Sequence, residues 1–113
     1  MKYFKESEFT MGGENVFDKM NKSFLIKLDN LREACDVPLV ITSSFRSKEY
    51  NKSIHGAKFS MHLQGRAVDV VCTDSSNRCR IMKEALAMGL TIGVGRDFLH
   101  IDDRAIQIVY HYY

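Results

Sequence analysis

Apolar residues along this chain fall into two kinds of spacing, and the change from one to the other marks out the elements. Phe17, Met20, Phe24, Leu28 and Leu31 recur three or four residues apart, with lysines and acids between them, which predicts an amphipathic helix over 15–34. Pro38 biases its predecessor away from helix, so the segment closes before Asp36-Val37-Pro38. Leu39-Val40-Ile41 is a compact, mostly β-branched run and predicts a buried strand. A polar turn follows, Thr42-Ser43-Ser44-Phe45-Arg46-Ser47, in which Ser47 is placed to cap a short helix through Lys48-Glu49-Tyr50-Asn51. Residues 53–64 have little periodicity and read as loop.

From Ala67 to Cys72 the spacing changes to two. Ala67, Asp69 and Val71 fall on one side of a strand, Val68 and Val70 on the other. Thr73-Asp74-Ser75-Ser76-Asn77 offers several N-caps for a second helix through Ile81, Met82, Ala85, Leu86 and Met88, and Gly89 suits its end. Leu90-Thr91-Ile92, a glycine-bearing turn over 93–96, a strand around 98–102 and a last strand around 105–111 complete the pattern. Ahead of the first helix, Phe4 and Phe9 anchor a lead-in that breaks at Gly12-Gly13. Helices and strands mix without regular alternation. The expected class is α+β: a single domain over 1–113, with a small antiparallel sheet and helices packed on one face.

Bulk properties narrow the function more than the fold. A length of 113 residues suits one domain with a core that needs no covalent staples. A formal charge of +2, with no conspicuous Lys/Arg cluster, argues against a nucleic-acid partner. No segment approaches the roughly 20 apolar residues of a membrane span, and Met1–Glu6 lacks the apolar run of a signal peptide. Cys35, Cys72 and Cys79 cannot all pair within one chain, so reduced thiols are expected. The spacing of Cys72 and Cys79 fits no zinc knuckle, and nothing in the chain requires more than a monomer.

The chemistry concentrates in Ser60-Met61-His62-Leu63-Gln64-Gly65-Arg66-Ala67-Val68-Asp69, which sets a histidine and a carboxylate seven residues apart across a glycine turn. Asp69 inside an apolar strand is costly unless it is paired, hydrogen-bonded or metal-bound. His100, in the strand-like run Phe98-Leu99-His100-Ile101-Asp102, completes a set of two imidazoles and one carboxylate, ordinary donors for a catalytic zinc that keeps one position for water. Any one of these histidines taken singly is more often a hydrogen-bonded structural residue; the case is joint. Asp102 offers an alternative third ligand, or a partner that orients His100 from behind. Arg66 reads as solvated, His55 as an exposed residue or, alternatively, a substrate-side contact, and Tyr110-His111-Tyr112-Tyr113 as the end of a strand.

Ser60-x-His62-x-x-Gly65-x-Ala67-x-Asp69, followed by His100-Ile101-Asp102, resembles the motif pair of the zinc D-alanyl-D-alanine carboxypeptidases. That family includes the vancomycin-resistance dipeptidases and the L-alanyl-D-glutamate endopeptidases of bacteriophage endolysins. The likeness extends to the opening Tyr3-Phe4-Lys5-x-Ser7-Glu8-Phe9 and to Thr42-Ser43-Ser44-Phe45-Arg46 with Tyr50-Asn51, although the family's usual Ser-Gly-Tyr-Arg turn is here Ser43-Ser44-Phe45-Arg46. The resemblance implies a Hedgehog/DD-peptidase-like fold and one zinc held by His62, Asp69 and His100. It also implies that Asp97, three positions before His100, carries the proton, and that Arg46 binds and polarises a peptidoglycan peptide. Ser60 is implied as a substrate contact or as a brace for the His62 loop. A product of this kind without a leader fits a phage or prophage protein that waits in the cytoplasm before acting on the bacterial wall. The implied alternative is a virion or structural protein that keeps the fold and the metal without turnover.

Overall fold

A computed structural model describes residues 1–112. It contains three α-helices, α1 (Lys22–Cys35), α2 (Lys48–Ser53) and α3 (Ser75–Ala87), and seven strands: β1 (Thr10–Met11), β2 (Glu14–Asn15), β3 (Val40–Ser43), β4 (Ala67–Val71), β5 (Thr91–Val94), β6 (Phe98–Asp102) and β7 (Val109–His111). β1 and β2 form a small hairpin over the Gly12-Gly13 break; the other five make one sheet in the order β3-β4-β6-β5-β7. The class is α+β, as expected.

Period-two burial decides which face of this sheet is core. Val68 and Val70 of β4, Ile92 of β5, and Leu99 and Ile101 of β6 are fully buried and pack with Phe24, Leu28 and Leu31 of α1 and Ile81 and Ala85 of α3. Each such side chain contributes about 1.5–3 kcal/mol when fully buried, far more than the helix propensities within α1. Asp69, His100 and Asp102 alternate with these residues and face the other way, where Asp69 and His100 line a cleft and Asp102 is buried behind His100.

The first helix starts later than its apolar spacing predicts. Phe17–Lys19 is a separate 3₁₀ turn, and α1 begins after Asn21, whose side chain accepts from Phe24 N at 2.9 Å. The chain leaves helical geometry there because Asn21 N donates to Gly65 O at 2.9 Å, joining this corner to the glycine of the histidine–aspartate stretch. Gly65 has φ +66°, and a Cβ on it would lie 2.3 Å from Lys19 O, so only glycine fits. Phe17 and Met20 still pack on the core, which is why the period continued through the break.

The end of the chain also departs from expectation. Residues 103–108 are not strand; only Val109–His111 is, and it runs parallel to β5, so the sheet is mixed rather than purely antiparallel. Asp103 receives Arg66 and Lys27, and Gln107 Nε2 donates to Leu86 O and Leu90 O, both at 2.9 Å. These anchors carry the connector past the end of α3, so the chain returns alongside β5 in the same direction. Arg66 is therefore an ion-pair partner of Asp103, at 2.8 Å, and not a solvated residue. Tyr113 lies outside the described residues. Among the described residues no helix is long and apolar enough to cross a membrane.

Candidate metal centre

Strand register builds the site. Ser43 lies opposite Asp69, Asp69 opposite His100, His100 opposite Gly93, and Gly93 opposite Tyr110, so one transverse row crosses all five strands. His62 joins it from the 3₁₀ turn Met61–Gln64, where Ser60 Oγ accepts from His62 N at 3.2 Å and caps the turn. Ser60 thus braces the histidine, and it also lines the cleft. Arg46 N donates to His62 O at 3.0 Å, fixing the turn to the segment after β3.

His62, Asp69 and His100 are buried and each offers one donor atom, all lying within 4.8 Å of one another. The imidazoles are oriented from behind. His62 Nδ1 donates to Ser44 O at 2.7 Å, because a carbonyl can only accept, and this leaves the Nε2 lone pair facing Asp69 at 3.3 Å. His100 Nε2 donates to Asp102 Oδ2 at 2.6 Å and presents Nδ1 to the same Asp69 oxygen at 3.0 Å. Two nitrogens and a carboxylate oxygen therefore converge with their outer hydrogen bonds already made, the arrangement in which histidines ligate metals. The donor set fits a divalent ion with an open position.

Electrostatics agree with the geometry. Burial alone would raise the Asp69 carboxyl, but the imidazoles of His100 and His62 beside it outweigh burial and hold the group ionised, well below the usual carboxylate range. Burial pushes His100 down, while Asp102 and Asp69 on its two sides raise it overall. Asp102, fully buried, is lowered because His100 and Arg104 overcome its own burial.

Arg46 reaches Asp69 Oδ2 at 3.3 Å, Ser43 Oγ at 3.2 Å and Asn51 Oδ1 at 3.4 Å, and it lines a cleft of about 510 Å³ above the trio. Asp97 is not brought to this group. β6 begins at Phe98, so Asp97 does lie in the turn, but it is exposed and the cleft is walled by Phe98. Arg78 holds that turn from α3 by donating to Gly95 O and Arg96 O, both at 2.7 Å.

The expected strand end at 110–112 proves to be part of the site. Tyr110 and Tyr112 line the cleft with ring centroids 5.8 and 6.4 Å from that of His100, and their hydroxyls are 3.0 Å apart. Burial raises both phenols, so they stay protonated and available as donors. A Cβ on Gly93 would meet Tyr110 Cζ at 2.7 Å, so this glycine makes room for the ring to reach His100. A glycine inside an apolar strand, with two tyrosines at i and i+2, is the sequence signal for this contact. Arg104 enters the wall by pairing with Asp102 and lying 5.4 Å from the Tyr110 ring centroid. His55, exposed as expected, nevertheless lines the cleft, with φ 57°.

No curated protein matches the chain. A family model described as peptidase M15 matches residues 2–102, from the lead-in ahead of the first helix to the last residue of the strand that carries His100. That span takes in every element that positions the two imidazoles and the carboxylate between them, and on it the chain belongs to the peptidase M15 family.

Proposed function

We propose that the protein is a zinc-dependent peptidase that cuts a peptide bond in bacterial peptidoglycan stem peptides. The observation that carries this reading is the convergence of His62 Nε2, Asp69 Oδ1 and His100 Nδ1 at the floor of an open cleft, in a chain of the M15 family. When bound, zinc supplies Lewis acidity towards a carbonyl oxygen and makes water acidic enough to ionise near neutral pH. Ser44 O and Asp102 keep the two imidazoles in their ligating orientation, and Arg46 fixes the second oxygen of Asp69. Arg46 also presents its guanidinium to the cleft, where it suits a carboxylate or a polarised carbonyl oxygen of the peptide. Tyr110 and Tyr112 add neutral hydroxyl donors on the opposite wall, and their rings limit access of bulk water to His100. Asp97 is the proposed proton carrier, a role that requires the Arg96-Asp97 turn to bring its carboxylate past Phe98 when substrate is bound.

Incubating the zinc-loaded protein with purified peptidoglycan and identifying the new termini tests the reading. New amino and carboxyl ends at one peptide linkage are expected, lost in His62→Ala, and an intact polymer overturns it. A second reading, a metal-holding structural protein without turnover, draws support from the outward position of Asp97. It predicts about one zinc per chain with no cleavage of any wall fragment.

A further inference from the structure

The family match ends at Asp102, but the metal cleft extends past it. Arg104, Ile108, Tyr110 and Tyr112 line it too, so one wall is built by the segment that follows the matched span. The two tyrosine rings are seated there by packing and backbone. A Cβ on Gly93 would lie 2.7 Å from Tyr110 Cζ, so the glycine leaves the space that this ring fills. Tyr112 N donates to Val94 O at 2.9 Å, and Phe98 flanks its ring with centroids 5.0 Å apart. None of these constraints involves a hydroxyl.

The hydroxyls therefore keep hydrogen-bonding capacity that the fold does not use. Their oxygens are 3.0 Å apart, and among the described residues the one hydrogen bond that either makes is to the other. Two phenols carry two protons, and a single contact uses one of them. The second O–H is left without an acceptor among the described residues, on side chains that open onto the cleft holding Asp69 and His100. The hydroxyl with the free proton is also the one that accepts from its neighbour, which strengthens it as a donor. An uncharged donor gains little from a neutral carbonyl oxygen and roughly twice as much from one that has become ionised. An interaction that grows in this way favours the transition state over the bound substrate. Arg46 has each of its three nitrogens already engaged, by Ser43, Asn51 and Asp69.

We propose that Tyr110 and Tyr112 act as one catalytic donor, directing the spare O–H of the pair to the scissile carbonyl oxygen as water adds to its carbon. The role rests on the peptidase reading and adds to it a catalytic contribution from outside the span that the family model matches. No proton leaves either phenol. The hydrogen bond tightens while the oxygen is negative and relaxes when the carbonyl re-forms and the C–N bond breaks.

Tyr110→Phe and Tyr112→Phe each keep the ring and remove one oxygen. The variant that lacks the free O–H is expected to lose about 10²-fold in kcat. The other, whose remaining hydroxyl still reaches the cleft, should lose only a few-fold. KM should hold in both, and so should zinc affinity measured by chelator competition. A phosphinate peptide, with an anionic tetrahedral phosphorus centre in place of the scissile amide, supplies a readout apart from turnover. Titrated calorimetrically into the zinc-loaded chains, it should lose affinity in step with kcat across the variants. A kcat within about threefold of native in both variants, or equal losses in the two, overturns the proposal and leaves the peptidase reading standing. A change confined to KM marks a packing role and overturns it as well. A native chain that neither cuts wall peptides nor binds the phosphinate removes the reading and the proposal together. Hydroxyl-dependent binding of the phosphinate without cleavage of any wall peptide leaves the donor pair standing and removes the peptidoglycan reading.

Discussion

Replacing Asp102 by asparagine tests whether the metal centre is held from behind. In the native chain Asp102 accepts from His100 Nε2 at 2.6 Å, a short charge-assisted bond between two buried groups, and this bond leaves Nδ1 to face Asp69. Hydrogen bonds to charged groups contribute roughly 1.5–3 kcal/mol, and loss of such an outer partner typically weakens metal binding about 10–100-fold. The corresponding free energy is about 1.4–2.7 kcal/mol, and at fixed excess metal the stabilisation by metal falls by the same amount. For a domain of this size that lowers the Tm of the loaded protein by roughly 5–15 °C. Competition with a chromophoric chelator gives the zinc affinity directly, and thermal scans with and without zinc give the second number. Asp102 also holds Arg104, so Arg104→Gln is the control: it removes the guanidinium and keeps the bond to His100. Affinity for zinc should fall in Asp102→Asn and hold in Arg104→Gln. Equal weakening in the two, or unchanged affinity in Asp102→Asn, would refute the positioning role.

Four further outcomes are expected. Asp97→Asn keeps its zinc, measured by metal content, and loses nearly all turnover; near-normal rates would remove Asp97 from the mechanism. Arg46→Ala raises KM and lowers kcat in steady-state assays with zinc retained, and a change confined to thermal stability would count against a substrate role. Gly93→Ala pushes a Cβ to 2.7 Å from Tyr110 Cζ and 2.8 Å from Tyr112 Cε2, which should cost about 1–3 kcal/mol in a denaturant titration and reduce kcat/KM as the rings leave His100. Asp103 is lowered because Arg66 and Lys27 outweigh its burial, so its contribution is present above the ordinary carboxylate pKa and disappears as pH falls through the lower folded value. Asp103→Asn should therefore be less stable than the native chain at pH 7, with the gap in Tm closing below about pH 4; a gap independent of pH would deny the ion pairs.

Local signals carried much of this architecture. β4 was readable because Val68 and Val70 alternate with Asp69, and the caps at Ser47 and Asp74 lie where short polar side chains can serve free helix donors. What stayed hidden was set by distant partners. The break before α1 depends on Gly65 O, 44 residues on, reaching Asn21 N. The parallel course of β7 depends on Gln107 finding carbonyls at the end of α3. Asp69 and His100 announced themselves by being polar in apolar strands, whereas Tyr110 and Tyr112 looked like ordinary strand residues until the pairing of β5 with β7 set them over Gly93.

Because Ser43, Asp69, His100, Gly93 and Tyr110 occupy one rung of the sheet, pairing errors and chemistry are linked. A slip by a single position in β4 or β6 would turn a ligand towards the helices and bring a valine, leucine or isoleucine out in its place. A misaligned molecule would then have no metal site at all rather than a poorer one, so a preparation's zinc stoichiometry doubles as a measure of how faithfully its strands have found their partners.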